Sequence, residues 1–569
     1  MERRQQRTLV YILVAVGILL TLCCVGAIVA WSVLNRTVLP SPDNTVQVTV
    51  LYSPEKAAWF APRVAEFNAR AVRVGGKRVE IAAEALDSGE ALEAILDGSR
   101  APVVWSPAST LWVPLLNQRW SDTTGSSDPL AIYPEPLVVS PLVIAMWEEQ
   151  AAAMGYPGAD IGWQEIISAT LDPRGWGLYG HPEWGAFKLG HTNPYFSNAG
   201  LLSVAAEGYA AAGKVRGLTP EDLAHPAVRD YVQQIERAII HYGESSEYFA
   251  QQMASRGPAY ASAVVLEEQT VVRLNAGDYG QLPQPLVAIY PKEGTFWSDH
   301  PYVVLRGDWV SVEQQAGALA FRDYLLTHDV QLKALEEGFR PADTSIALVN
   351  SILDAAVGVD PLQPQTVLEV PSARTIEALL DAWRDVRKKV NVLLVVDISG
   401  SMDEADKLPA VQDGLKLFLD QLGDEDVVGI LVFNDEITPL SPLDALGPKR
   451  QSLDRAIDQL DANYNTVLYD VTADALRRMQ EAYDPERINA IVLMSDGNDT
   501  ASWTSESRVL RDLQDAAASD TPIRVFTIAY GGDADKSLLE RMAQSTEGRM
   551  VEGTPENIRR LYVILSSYF

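Results

Sequence analysis

Residues 391–402 read NVLLVVDISGSM, and this stretch decides the fold of the last third of the chain. Val392, Leu393, Leu394, Val395 and Val396 form an unbroken apolar run, the pattern of a strand buried on both faces. The run stops at Asp397. Ser399 and Ser401 follow at alternate positions, so one carboxylate and two hydroxyls can converge on one side of a loop. Oxygen donors of that kind suit a hard cation such as Mg2+. Gly400 between them allows a tight turn.

Outward from this motif the pattern repeats. Residues 427–433 predict a strand ending at Asn434 and Asp435, and residues 490–494 one ending in SDGND at 495–499. Residues 523–530 predict a last strand, ending at Gly531 and Gly532. A loop of Asn463, Tyr464, Asn465 and Thr466 precedes a helix starting near Leu468. Strands alternating with helices predict a doubly wound, Rossmann-like α/β sheet. DISGSM, a threonine loop and SDGND, in that order, resemble the von Willebrand factor A domain over residues 388–569. The resemblance implies a metal-ion-dependent adhesion site of Asp397, Ser399, Ser401, Thr466 and Asp496, holding Mg2+ or Mn2+. It implies direct coordination by Ser399 and Ser401, direct or water-mediated binding by Thr466, and aspartates acting often through water. One position stays open for a carboxylate from a protein or surface partner. Asn465 stands where relatives often carry glycine, and asparagine tolerates left-handed backbone. Asp499 reads as a loop carboxylate.

The middle of the chain predicts another α/β unit. Residues 46–52 form a strand ending at Ser53, a second strand covers 78–82, and a third at 102–105 runs into Ser106. In parallel sheets ligands gather beyond the carboxyl ends of strands. Ser53 and Ser106 stand there, as ligand contacts or as helix caps. Downstream come a long extended run at 136–145, HTNPYFSNAG at 191–200, a second extended run at 286–291 and GFRP at 338–341. In this order they resemble the bacterial extracytoplasmic solute-binding proteins of the two-lobed, periplasmic-binding-protein type II fold, nearest its molybdate- and sulfate-type branch, over residues 45–350. The resemblance implies lobes joined by crossovers near 138–145 and 286–290. It implies a cleft lined by Ser53, Ser106, Ser140, Thr192, Ser197 and Asn198 for a small-molecule or anion ligand. His191 reads as a packed or capping histidine, and Tyr290 either faces the cleft or fills the hinge. Of Glu267 and Glu268, a carboxylate turned inward would disfavour an anion, so the ligand class stays open.

Residues 351–387 read as a linker with Pro361, Pro364 and Pro371, then a helix capped by Ser372 with Ile376, Leu379, Leu380, Trp383 and Val386 on one face. Arg384, Arg387, Lys388 and Lys389 sit where cations favour a helix C-terminus.

At the other end, residues 9–34 are apolar and uncharged, and such a helix reaches about 39 Å, enough to cross a bilayer. Arg3, Arg4 and Arg7 in the basic tail 1–8 predict a cytoplasmic N-terminus and a signal anchor, with a spacer at 35–44. The apolar run is longer than the core of a cleaved signal peptide. Cys23 and Cys24, the 2 cysteines, lie within it, so no disulfide framework or cysteine zinc site exists elsewhere.

Lys+Arg 46 against Asp+Glu 76 gives a net charge of −30, which argues against a nucleic-acid partner. With 47% hydrophobic residues, the 569-residue chain folds, as two or three units. No G-x-S-x-G elbow or H-E-x-x-H is present and only 6 His occur, so an enzyme is not expected. The expectation is a single-pass membrane protein, extracytoplasmic after the anchor, with one module for a small ligand and one for a cation-dependent partner. Solute delivery to a membrane permease and a surface hydrolase are the alternatives.

Overall fold

The computed structural model describes residues 44–569 except Tyr133, Asn350, Ala405, Asp520, Ser567 and Phe569. The run at 9–34 lies outside the described residues, among which no helix is long and apolar enough to cross a membrane.

Three sheets organise the described residues, built on alternating or continuous apolar runs. In the first, strand Thr45–Tyr52 buries Val46, Val48 and Val50. It pairs in parallel with Lys77–Ala85 on one side and Val104–Ser106 on the other. Pro301–Val304 then adds antiparallel to Val104–Ser106. Helices Ala57–Ala69 and Val312–Leu325 cover this lobe, packing Trp59, Phe60, Phe67 and Phe321 over Val48 and Val79. The second lobe is built on strand Val138–Trp147, flanked by Ala263–Glu267 and Leu286–Ile289, both antiparallel to it. Leu189–Thr192 and Ile239–Gly243 complete that sheet.

Strand Val138–Trp147 is also a crossing between lobes. At its start Val138 and Val139 pair with Arg340–Pro341, and Ser140 and Pro141 with Trp297–Ser298, before it enters the second sheet. The second crossing differs from the expectation at 286–290. Leu286–Ile289 lies wholly inside the second sheet, and the chain returns through Trp297–Ser298 into Pro301–Val304 of the first. A long apolar extended run looks the same from sequence whether it is hinge or core strand.

The expected linker is packed structure. Ala288 N donates to Gly358 O (2.8 Å) and Thr295 N to Thr366 O (3.1 Å), so the chain after the hinge lies along lobe two. Helix Ala373–Val386, capped by Ser372 Oγ accepting from Thr375 N (3.2 Å), buries Ile376, Leu379, Leu380 and Trp383. Its face packs on helix Asn198–Ala212: a Cβ on Gly208 would lie 2.8 Å from Leu379 Cδ2. Lys389 Nζ donates to Arg384 O and Asp385 O (3.0 Å each), the orphan carbonyls of the helix end.

The third sheet orders Ile437–Ala445, Val427–Phe433, Val390–Asp397, Ile488–Ser495, Arg524–Tyr530 and Met550–Gly553. All pairs are parallel except the first. Every residue of Val390–Asp397 is buried, as an inner strand covered on both faces requires. Pro439 and Pro442 interrupt the pattern of Ile437–Ala445, which the structure puts at the sheet edge, where proline is tolerated.

This domain docks on lobe two. Arg387 makes a buried ion pair with Asp426, whose Oδ1 accepts from Val390 N (3.0 Å). Arg524 Nη1 donates to Ile240 O (3.1 Å), and the Tyr568 ring packs edge-on against Tyr248.

Candidate binding sites

Between the lobes, several short sets of hydrogen bonds run past the expected residues. Ser53 N donates to Ser106 O (3.0 Å), tying two strand ends together. Ala108 N donates to Ser88 Oγ (3.0 Å), and Gly89 N to Phe196 O of the other lobe (3.0 Å). A Cβ on Gly89 would lie 2.1 Å from Tyr195 O, so only glycine allows this approach. Trp112 Nε1 donates to Asn198 Oδ1 (3.1 Å). Asn198 Nδ2 in turn donates to Glu267 Oε1 (3.2 Å) and Ser298 Oγ (2.8 Å), while Ser246 Oγ donates to Glu267 Oε2 (3.0 Å). Ser140, opposite Ser298 in register, accepts from Gln269 N (3.0 Å).

Thus Ser53, Ser106, Ser140, Ser197 and Asn198 lie along one seam, with Thr192 at the strand end leading into it. The capping alternative for the serines does not describe them. Ser53 and Ser197 stand at helix starts without a side-chain capping bond. The hydroxyls of Ser106, Thr192 and Ser197 are buried and without a hydrogen-bond partner among the described residues.

Of the charged groups of the seam the sequence singles out Glu267 but not Glu55, Lys56 or Asp87. Lys56 Nζ, fully buried, donates to Ser53 Oγ (2.7 Å), Ser106 O (2.8 Å) and Pro107 O (3.3 Å). Burial pushes its pKa down to about 7. Glu55 and Asp87 each keep a buried oxygen without a partner, Oε2 and Oδ1. Burial raises both carboxyl pKa values, and their mutual repulsion adds to that of Asp87. Burial, reinforced by the charge on Glu55, lifts Glu267 to about 7. Acidic residues at helix starts read in sequence as dipole partners, which hides such a role.

The remaining alternatives resolve geometrically. Glu268 faces away from Glu267 and makes a buried ion pair with Arg340 of GFRP, Nε to Oε1 2.8 Å. Tyr290 donates to Glu268 and accepts from Asp360 N (3.1 Å), so it braces the hinge. His191 is buried with Nδ1 2.8 Å from Thr192 O and Nε2 3.3 Å from Glu236 Oε1. Its ligand atoms and those of Glu207 and Glu236 lie within 4.8 Å of one another. Trp383 Nε1 also donates to Glu236 Oε1 (3.0 Å), so this cluster anchors the helix Ala373–Val386.

In the C-terminal domain the end of Val390–Asp397 gathers the motif. Asp397 Oδ1 accepts from Ser399 N (2.8 Å) and Oδ2 from Ser495 Oγ (2.6 Å). Ser399 Oγ and Ser401 Oγ are 3.2 Å apart, and Ser401 Oγ donates to Asp496 Oδ1 (2.7 Å). A Cβ on Gly497 would stand 3.9 Å from Thr466 Oγ1 and 4.0 Å from Ser401 Oγ, so these hydroxyls flank one point. Gly400 N donates to Tyr464 O (3.0 Å), joining the two loops. The left-handed residue of the threonine loop is Tyr464 (φ 67°), not Asn465. Burial raises Asp397 to about 6, against the hydrogen bonds from Ser399 and Ser495. Two carboxylates and three hydroxyls are the donor set a hard divalent cation takes. Lys407, unnoticed in the sequence, puts its ammonium 2.6 Å from Asp496 Oδ2, leaving Oδ1 toward the serines. Asp499 accepts from Tyr469 N (3.3 Å) and Ser502 N (3.4 Å), a loop carboxylate. Tyr464 (70% exposed) and Trp503 (98% exposed) stand on the flanking loops.

Comparison with known proteins separates the same two parts. The bacterial extracellular solute-binding protein family matches residues 48–340, and the von Willebrand factor type A domain matches residues 391–558. An uncharacterized protein of Mycobacterium tuberculosis is 24% identical over 561 residues, 94% of this chain and 80% of its own length. Among solved structures, the periplasmic binding protein AfuA from Actinobacillus pleuropneumoniae, with fructose-6-phosphate bound, is 14% identical at a TM-score of 0.41, over 61% of this chain and 99% of that one. A von Willebrand factor type A protein from Catenulispora acidiphila is 21% identical at a TM-score of 0.28, over 32% of this chain and 42% of that one. The chain belongs to the bacterial extracellular solute-binding protein family and carries a von Willebrand factor type A domain after the solute-binding part.

Proposed function

We propose that this protein is held in the membrane by residues 9–34, binds a small ligand between its lobes, and engages a protein or surface partner through a divalent cation in the A domain. Both domain types are binding and adhesion types. The observation that carries the adhesion reading is the cluster at the end of Val390–Asp397, where Asp397, Ser399, Ser401 and Asp496 are tied by direct or single-step hydrogen bonds of 2.7–3.2 Å. Thr466 faces the same point. Asp397, Ser399, Ser401, Thr466 and Asp496 would hold Mg2+ or Mn2+, and the bound cation supplies a Lewis-acidic position for a partner's carboxylate. The ammonium of Lys407 compensates part of the charge on Asp496, which keeps the site electron-poor toward an acidic partner. Tyr464 and Trp503 offer aromatic surface beside it, the residue type that dominates binding hot spots. Calorimetric titration of the full chain with Mn2+ tests this reading. Binding by wild type and its loss in Asp397→Ala is the expected result; equal titration curves would overturn it.

A further inference from the structure

Resting on the reading of the interlobe seam as a ligand site, we propose that its ligand is a small organic cation, an alkyl amine protonated at neutral pH, and not an anion. Three carboxyls lie within electrostatic reach of one another there: Glu55, Asp87 and Glu267, from three different strand-to-helix junctions and both lobes. Glu55 Oε2 and Asp87 Oδ1 are buried without hydrogen-bond partners among the described residues. The hydroxyls of Ser106 and Thr192, at strand ends, and of Ser197, at a helix start, are fully buried and equally unpartnered among the described residues. Each of these atoms accepts hydrogen bonds, and an ammonium supplies the donors they lack.

The wall of the seam already shows how it solvates such a group. The Lys56 ammonium is held by one hydroxyl and two carbonyl oxygens at 2.7–3.3 Å. Its single charge answers one of the three carboxylates. Of the neighbouring acids two are paired with arginines, and Asp299 adds a further carboxyl within electrostatic reach of Lys56. Glu90 is paired with Arg560, Glu268 with Arg340, and Asp299 accepts from Thr110 N (2.6 Å). His300, 3.5 Å from Lys56 Nζ, is held neutral by burial. Helix starts facing the seam would favour an anion, but Asp87 precedes Ser88–Leu96 and Glu267 precedes Glu268–Ala276, so protein carboxylates already occupy those positive ends. An anion entering here would oppose ionisation of all three carboxyls, whereas an ammonium favours it.

The test is thermal unfolding of the full chain with putrescine or spermidine, against sodium molybdate, sodium sulfate and fructose-6-phosphate. Sodium chloride at about 0.3 M shortens the Debye length to roughly 6 Å and suppresses amine binding to the acidic exterior. An amine is expected to raise the melting temperature, with affinity falling at least tenfold in Glu267→Gln and in Glu55→Gln. Two variants with wild-type circular dichroism guard against a folding defect in either, and Glu540→Gln on an exposed helix should bind as wild type. Stabilisation by an anion and by no amine overturns the inference while leaving the cleft as a ligand site. Amine stabilisation unchanged in both seam variants overturns it as surface binding. No response to any probe overturns the cleft reading together with the inference.

Discussion

At the border of the two lobes, Ser106, Thr192 and Ser197 bury hydroxyls with no partner among the described residues, whereas in the A domain Asp397, Ser401 and Asp496 are each bonded within their own cluster. The first site draws its residues from two sheets brought together across Gly89 and Phe196. The second draws them from adjacent loops at one end of one sheet. A site assembled by closure leaves its polar groups waiting for a ligand, while a site assembled by one sheet satisfies them internally and changes little when a cation arrives. Substitutions in the two sites should therefore behave differently, and the buried contacts joining the regions should matter most to stability.

The largest effect is expected where the regions meet. Arg387→Ala leaves Asp426 buried without its guanidinium. Removing one partner of a buried pair costs about 3–5 kcal/mol, and the backbone donors to Asp426 place this case near 3. Urea unfolding of the full chain measures it.

Acidity tests the unliganded seam next. The folded-state pKa of Glu267, about 7, lies above its usual 4.5, so the folded chain holds the proton longer and stability falls as pH rises from 4.5 to 7. Lys56, lowered to about 7 from 10.5, works the other way, and stability recovers between 7 and 10.5. The two together predict a stability minimum near neutral pH. The acid limb amounts to roughly 3 kcal/mol if Glu267 acts alone. Glu267→Gln should reduce that limb, leaving the falls that belong to Glu55, Asp87 and Asp397. Thermal melts across pH measure both.

Serine truncation sharpens the contrast at small magnitude. Ser401→Ala removes the donor to Asp496 Oδ1 and should cost about 1–2 kcal/mol. Ser106→Ala and Ser197→Ala remove buried hydroxyls without partners, so folding should be unchanged or stabilised by up to about 1 kcal/mol while ligand affinity drops. Chemical denaturation of the three variants decides it; equal losses at all three positions would erase the distinction between the sites.

The contrast also explains what the sequence discloses. DISGSM and SDGND lie at the ends of adjacent strands, and Asp397, Ser399, Ser401 and Asp496 meet because neighbouring strands end at one level. Local spacing carries that information. The seam serines were legible as strand ends, but Glu55, Asp87 and Lys56 were not, because only the closure of two lobes reveals them as buried. The second crossover was misplaced for a related reason: Leu286–Ile289 is apolar because it is core strand, and the chain crosses at Trp297–Ser298, a pair too short to register as a pattern. The prolines of 361–371 suggested a linker, yet Thr366 accepts from Thr295 and the segment belongs to lobe two. The edge strand Ile437–Ala445 was hidden by its own prolines.

The claim that two sites of opposite character share this chain is tested most directly by one thermal-unfolding matrix on the full chain: wild type, Asp397→Ala and Glu267→Gln, each with Mn2+ or with putrescine. At 100 times its dissociation constant either ligand should stabilise wild type by about 2.7 kcal/mol at 25 °C. The account predicts that Asp397→Ala loses the Mn2+ response alone and Glu267→Gln the putrescine response alone. Mn2+ stabilisation that survives in Asp397→Ala, or vanishes in Glu267→Gln, would contradict it.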